Sequence, residues 1–348
     1  MEKKRTYTDA GVDIRNADQT KAELKHVMAT GDPRVMNKPG AFASLFAADF
    51  AGIDNPVLVL KAEEPGSKQL LAFQHGRIEQ ICRDLIHHLV NDIIVMGAKP
   101  EVVLDTILCG KLERETVVDI VKHLSQACRE QDCSLIGGET SEQPGLLSEG
   151  HYMLNASILG VVDRNKIIDG SRIRQGDKVL AIASNGPHTN GYSLVRKIME
   201  ESPEIVDQTI DGESFLDAIL RPHTCYYRPL KELFEMPELH GLAHITGGGI
   251  AGNLNRILPQ GTNARIDCST IDILPVFNAI YTFGQVPPED MLQTFNLGVG
   301  MTVVADPAGV QLIIEHLRKH GCPAYEIGEI VKGDQVVEFI GQLQWYNR

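Results

Sequence analysis

Two successive sets of short apolar runs, parted near residue 170 by the polar stretch DGSRIRQGD, constrain this chain more than any other feature. At 348 residues the chain exceeds what one ordinary core holds, so each set reads as its own layer of sheet and helix. In the first half, strands are expected at 56–61, 101–108, 132–136 and 152–162, with helices at 78–96 and 114–130. The first helix rests on Ile78, Ile81, Leu85, Leu89 and Ile93, which recur near helical spacing. The second set opens with DKVLAIAS at 177–184 and continues through helices expected at 191–201, 214–236 and 307–320. The expected fold class is therefore α+β in two domains, 1–170 and 171–348.

Composition narrows the partners. A 43% hydrophobic and 23% charged chain with no run near the ~20 apolar residues of a membrane span is expected to be globular and free of membrane contact. The opening MEKKRTYTDAG carries charge with no apolar core behind it, so it reads as no secretory signal, and cytoplasm is the expected compartment. A formal charge of −13 repels nucleic acid in bulk while leaving room for a local phosphate pocket. The cysteines at 82, 109, 128, 133, 225, 268 and 322 show no Cys-x-x-Cys spacing, which argues for reduced thiols rather than disulfides or a zinc knuckle.

Four segments concentrate residue types that carry chemistry. In GGETSEQPG, Gly137 and Gly138 allow close backbone approach, and Glu139 beside Thr140 is placed to hold Mg²⁺ or a sugar hydroxyl; a tight turn with a solvated acid is the plainer reading. In SNGPHTNGYSLVRK, Asn190 or Ser193 is a candidate helix cap, and His188 and Arg196 are candidate phosphate partners; a capped helix with a surface arginine is the alternative. On the helix over 78–96, Asp84, His88 and Asp92 share a face, as do Asp84 and Asn91, and Asp105 follows one strand later. That face is either an oxygen-ligand cation site or a solvated charged surface.

The fourth segment, HITGGGIAGNLNRIL, satisfies Gly-x-Gly-x-x-Gly at Gly247, Gly249 and Gly252, with Asp267 about 20 residues on, as a nicotinamide-dinucleotide fingerprint asks. Pro259 keeps its helix short, however. The competing reading is a glycine turn that brings backbone amides and His244 to a phosphate.

Taken in order, YTDAGVDI (7–14), LVNDIIVMGAKPEVVLDTILCGKL (89–112), CSLIGGETSEQPG (133–145), SNGPHTNGYSLVRKI (184–198), AHITGGGIAGNLNRILP (243–259) and FNLGVGM (295–301) resemble the aminoimidazole ribonucleotide synthetase family, or phosphoribosylformylglycinamidine cyclo-ligases. The resemblance implies a ferredoxin-like-type N-terminal sheet that pairs with its mate in a homodimer, followed by an α/β C-terminal domain. It implies ATP-dependent closure of the imidazole ring in purine synthesis, with Mg²⁺ as cofactor and a ribonucleotide as substrate. By position, it implies cofactor contacts at Gly66, Lys68, Asn91, Asp105, Gly137, Gly138, Glu139 and Thr140, and metal ligands among Glu63, Asp84 and Asp92. Substrate contacts are implied at Asn190, Thr246, Gly247, Gly248 and Gly249, with His188, His244 and Asp92 as the catalytic candidates.

The chain departs from the family pattern at two N-terminal loops. Where the family reads T-D-G-V-G-T-K, this chain has Ala62, Glu63, Glu64, Pro65, Gly66, Ser67 and Lys68, and the glycine-rich loop appears as Asn37 to Ala43 with Pro39 inside it. His87 and His88 also stand where the family has small or apolar residues. A paralogue on this scaffold, a small-molecule kinase or a binding protein, is the alternative these changes leave open.

Overall fold

The computed structural model describes residues 14–37 and 42–345, and the chain divides into two compact units. The first comprises residues up to Ile93 together with Lys99–Asp163; the second comprises Ile94–Ala98 and Arg164 onward. The expected loop change at Lys38 to Ala41 lies outside the described residues.

The first unit runs α1 (Ile14–Val27), β1 (Pro56–Glu63), α2 (Lys68–Gln74), α3 (Ile78–Ile94), β2 (Lys99–Cys109), α4 (Arg114–Glu130), β3 (Ser134–Glu142) and β4 (Tyr152–Asp163). Its sheet has the order β1-β4-β2-β3, with β4 antiparallel to both neighbours and β3 parallel to β2. Parallel neighbours need a crossover, and α4 supplies it. One sheet face is packed: Val103, Ile107, Leu154, Ala156 and Ile158 are buried, as are the α3 and α4 faces carrying Leu85, Leu89, Ile120 and Leu124. The opposite face leaves Leu58, Leu60, Leu104 and Met153 exposed; on it Leu60 pairs with Leu159 and Leu104 with Ser157.

The second unit runs β5 (Lys178–Ala183), α5 (Tyr192–Glu201), the ribbon β6 (Thr209–Ile210) and β7 (Glu213–Ser214), α6 (Phe215–Leu220), α7 (Tyr227–Leu230), β8 (Leu239–His244), α8 (Gly249–Leu254) and β9 (Thr262–Asp267). It continues with α9 (Pro275–Gly284), α10 (Pro288–Thr294), β10 (Val299–Ala305), α11 (Val310–Lys319), β11 (Ala324–Lys332) and β12 (Val337–Ile340). The six-stranded sheet has the order β12-β9-β11-β5-β10-β8, antiparallel except for β12 beside β9.

Three local expectations are corrected. The helix expected over 214–236 is broken: Ser214 caps α6 by accepting from Asp217 N–H, but Pro222 drives Arg221 to extended backbone (φ −56°, ψ 135°) and the chain restarts only at α7. The GGET segment is not a turn but the middle of β3. Neither Asn190 nor Ser193 caps α5; Gly191 takes that position in a left-handed conformation (φ 81°).

The sheet order also removes the nicotinamide reading. A dinucleotide fingerprint needs the strands on either side of the glycine helix to lie as parallel neighbours. Among the described residues β8 pairs with β10 alone, in antiparallel fashion, while β9 lies between β11 and β12. Asp267 accepts from Ser269 N–H and Oγ–H at 2.9 and 2.6 Å and so caps its own short 3-10 turn.

Candidate functional site

In the first unit a cavity of about 890 Å³ opens along the β3 edge of the sheet. Asp105, Gly137, Gly138, Glu139 and Thr140 line it, together with Lys21 from α1 and Asn37 and Ser44 from the segments 28–37 and 42–47. These two segments are joined by Met36 N–H to Leu45 O (2.9 Å) and Ala47 N–H to Arg34 O (2.8 Å), and Ser44 Oγ donates to Ile136 O of β3 at 3.0 Å. Arg34 anchors the first of them, donating to Asp32 and to buried Glu101 at 2.7 and 2.6 Å.

The paired glycines serve this cavity by absence of bulk rather than by turn geometry. A Cβ at Gly137 would stand 2.3 Å from Ser44 Oγ, and one at Gly138 2.0 Å from Asp105 Oδ1. Gly138 is the register partner of Asp105 across β2 and β3, so the carboxyl lies flat against a glycine backbone. Burial pushes the Asp105 pKa up from its ordinary 3.8 to about 7. A desolvated carboxyl of this kind at a cavity wall is ready to meet a cation or a hydrogen-bonding ligand.

The residues expected to converge on one metal instead form two separate clusters. Asp84 and Lys68 are an ion pair at 2.8 Å with both side chains wholly buried, and the Lys68 pKa is lowered by that burial against the opposing effect of Asp84. Asp84 and Lys68 therefore belong to the core, and Asp84 sits about 12 Å along α3 from Asp92, too far to share an ion. Asn91 is likewise fully buried, and Gly66 (φ 61°) makes the turn from β1 into α2.

Glu63 and Asp92 do converge: Lys61 Nζ lies 3.0 Å from Glu63 and 2.9 Å from Asp92, with His88 Nε2 3.8 and 3.7 Å from the same two carboxylates. The ammonium stands where a cation is wanted, so two oxygen donors from different segments already aim at one positive centre. That donor set fits a hydrated Mg²⁺ once Lys61, which is part-exposed, swings aside. Glu64, by contrast, is exposed and lies just past the end of β1. His87 and His88 are both buried, so this part of the helix is not a solvated surface.

In the second unit the segments 184–190 and 244–249 meet. β5 and β8 both run antiparallel to β10, so they are parallel to each other and end at the same edge of the sheet. His188 follows β5, His244 ends β8, and Asn190 Oδ1 lies 3.4 Å from where a Gly247 Cβ would stand. Gly248 (φ 94°) and Gly249 (φ 62°) hold the left-handed turn, which a side chain resists. At Gly249 a Cβ would also sit 1.9 Å from Leu292 O.

Two residues of this site carry no signal of their own in the sequence. Asn253 staples the glycine turn, its Nδ2 donating to Thr246 O, Gly247 O and Gly249 O at 3.3, 3.3 and 2.8 Å, while Thr246 Oγ donates to its Oδ1 at 3.1 Å. His223, from the loop that Pro222 opens, stacks on His188 with ring centroids 3.8 Å apart, and its Nε2 lies 3.0 Å from His244 Nε2. Asn296 ties the same loops down, accepting from Ser184 Oγ and donating to Gly186 O, both at 3.0 Å.

An α+β domain with one open sheet face, joined to a six-stranded domain with a stapled glycine turn, defines the class as a two-domain synthetase fold. The chain belongs to the AIR synthase related family: the family's N-terminal domain model matches residues 51–162 and its C-terminal domain model residues 174–341. A phosphoribosylformylglycinamidine cyclo-ligase of Nitrosococcus oceani is 40% identical over 327 residues, covering 94% of this chain and 91% of the relative. One of Alkaliphilus metalliredigens is 38% identical over 338 residues, covering 96% and 97%. Among solved structures, thiamine-monophosphate kinase from Stenotrophomonas maltophilia (TM-score 0.65, 18% identity, 96% and 98% covered) shares the fold. So does the hydrogenase maturation protein HypE of E. coli (TM-score 0.67, 16% identity, 93% and 94% covered).

Proposed function

We propose that this chain is an ATP-dependent phosphoribosylformylglycinamidine cyclo-ligase, converting formylglycinamidine ribonucleotide to aminoimidazole ribonucleotide with release of ADP and phosphate. The observation that carries the reading is the near end-to-end relationship to proteins of that name, at 40% identity over 94% of the chain. A HypE solved in complex with ATP, with a TM-score of 0.64, supports nucleotide use by this fold.

The chemistry asks for positioning more than for reactive groups. An amide oxygen leaves poorly until the γ-phosphoryl of ATP is transferred to it; the amine within the same substrate then attacks the activated carbon and phosphate departs. The cavity at the β3 edge, with Lys21, Glu139 and Thr140 in its wall, is large enough for a nucleotide. Glu63 and Asp92 are the pair that would hold Mg²⁺, which when bound screens the triphosphate's charge. Asn190 and the backbone N–H groups of Gly247 and Gly248 would face the substrate's phosphate, and His188 and His244 are the groups that would orient the reacting amide and take up a proton.

With Mg²⁺ and ATP, the purified protein is expected to release ADP only when formylglycinamidine ribonucleotide is added. ADP formed with a different acceptor, and none with this one, would replace the reading with that of a small-molecule kinase.

The protein is further proposed to act as a homodimer through the open face of its N-terminal sheet. Leu58, Leu60, Leu104 and Met153 are large apolar side chains exposed on that face, with Leu60 itself 71% exposed, and exposed apolar side chains grouped on one face favour an interaction site. Light scattering should give twice the chain mass of 38.3 kDa for the unaltered protein and the single chain mass for Leu60→Asp. A Leu60→Asp variant that stays dimeric removes this face from consideration.

A further inference from the structure

We propose that Lys61 is a tethered competitor for the Mg²⁺ position between Glu63 and Asp92, its ammonium keeping bare divalent ions off the pair, a role that rests on the metal pair of the proposed function. Two periodicities bring these groups together. Residues of β1 alternate between the two sides of the sheet, so Lys61 and Glu63 share one side and exposed Leu58 and Leu60 the other. The register partners of Lys61 and Glu63 on β4, Ile158 and Ala156, are buried under the helices. On α3, His88 and Asp92 stand one turn apart on the same face. Since β1 is an outer strand of its sheet, Asp92 meets Lys61 and Glu63 at the rim of the unit rather than in its core.

The ammonium and a divalent ion need the same place. Lys61 Nζ lies 3.0 Å from Glu63 Oε2 and 2.9 Å from Asp92 Oδ2, within hydrogen-bond distance of both. Mg²⁺ bound to those two oxygens at about 2.0–2.1 Å would sit between them, where the ammonium is. Like charges at such separations repel strongly, so either cation excludes the other. His88 Nε2, at 3.8 and 3.7 Å from the same carboxylates, is beyond hydrogen-bond distance of them and leaves the lysine as their nearer cation.

What makes Lys61 a competitor rather than a fixture is its tether and its exposure. It leaves the chain two residues before Glu63, so its ammonium is presented to the carboxylates at an effective concentration of order millimolar, against which a free ion must compete. Its side chain is 38% exposed, and those of Glu63 and Asp92 are 24% and 16% exposed, so the stem can turn to solvent and admit an ion without repacking the core. Lys68 shows the contrast: its pair with Asp84 has the same chemistry at 2.8 Å, but both side chains are wholly buried and the ammonium has no path out. One lysine of α2 and β1 is thus locked, the other exchangeable.

The test titrates the full chain, without nucleotide or ribonucleotide, with Mn²⁺ as the probe for Mg²⁺, reading free ion from its paramagnetic resonance signal. Lys61→Met and Lys61→Gln should each bind Mn²⁺ about 10-fold more tightly than the unaltered chain, as the loss of two part-exposed ion pairs to a competing cation implies. A side chain that only supports the fold does not give tighter ion binding when removed, and melting without metal shows that the variants fold. Lys61→Arg, which restores the charge, should bind as weakly as the unaltered chain, and Asp92→Asn added to Lys61→Met should abolish the gain. Equal affinity in the unaltered chain and both Lys61 variants, a gain that survives Asp92→Asn, or Lys61→Arg binding as tightly as Lys61→Met overturns the proposal. Equal, tight binding that Asp92→Asn abolishes leaves Glu63 and Asp92 as the metal pair with Lys61 no competitor, whereas binding that ignores Asp92→Asn throughout removes the pair as well. ADP release with formylglycinamidine ribonucleotide, measured separately, judges the cyclo-ligase reading in every case.

Discussion

Lys68→Met is expected to destabilise the protein by about 3–5 kcal/mol, because it leaves the Asp84 carboxylate in the core without the ammonium 2.8 Å away. That is a large part of the 5–15 kcal/mol by which a domain of ordinary size is stable. The double variant Lys68→Met with Asp84→Leu should recover most of the loss, since a buried pair replaced as a whole by apolar groups forfeits little. Urea unfolding of the three proteins measures both quantities. A phosphate-binding role for Lys68, as its place beside Gly66 suggests, gives the opposite pattern: Lys68→Met as stable as the unaltered chain with a raised KM for ATP.

The second large effect is in the pH dependence of stability. Asp105 keeps its proton to about pH 7 in the folded protein because burial disfavours the carboxylate, whereas the unfolded chain loses it near its ordinary 3.8. Between these values the folded state binds more protons than the unfolded state, so stability falls as pH rises, by up to roughly 1.4 kcal/mol per pH unit, and levels off above pH 7. Asp105→Asn removes the titration while keeping the shape. Its stability relative to the unaltered protein should therefore grow by about 2–3 kcal/mol between pH 5 and pH 8 and then stay constant. Parallel stability curves across that range would show that Asp105 titrates normally.

Both predictions come from residues that the sequence marks: Lys68 and Asp84 form a buried ion pair where a nucleotide contact and a metal ligand are expected, while Asp105 lies in the cavity wall. The helix 78–94 was legible from its apolar spacing, and Asp84, Asn91 and Asp92 are easily placed on it. Spacing along a helix, however, says nothing of which turn lies under the sheet. Asp84 and Asn91 are wholly buried while Asp92 reaches the surface, and the difference arises because α2 delivers Lys68 to one turn and β1 delivers Lys61 to the other. The paired glycines at 137 and 138 are marked by the sequence as a place where a ligand comes close to the backbone; in the structure the nearest groups to them are Ser44 Oγ and the Asp105 carboxyl across the sheet.

The sequence by itself determined the two-domain α+β class, the family, most strands of the first unit, and the strings that reach the glycine turn and its histidines. These rest on local periodicity and on the φ values that only glycine adopts cheaply, both of which are properties of neighbouring residues. Only the tertiary structure decided that the glycine fingerprint at 247–252 does not sit in a dinucleotide fold, because strand neighbours are chosen by hydrogen bonding between distant segments. The same holds for His223, which no motif singles out: its partners lie 35 residues before it and 21 residues after it, and burial alone brings the three rings together.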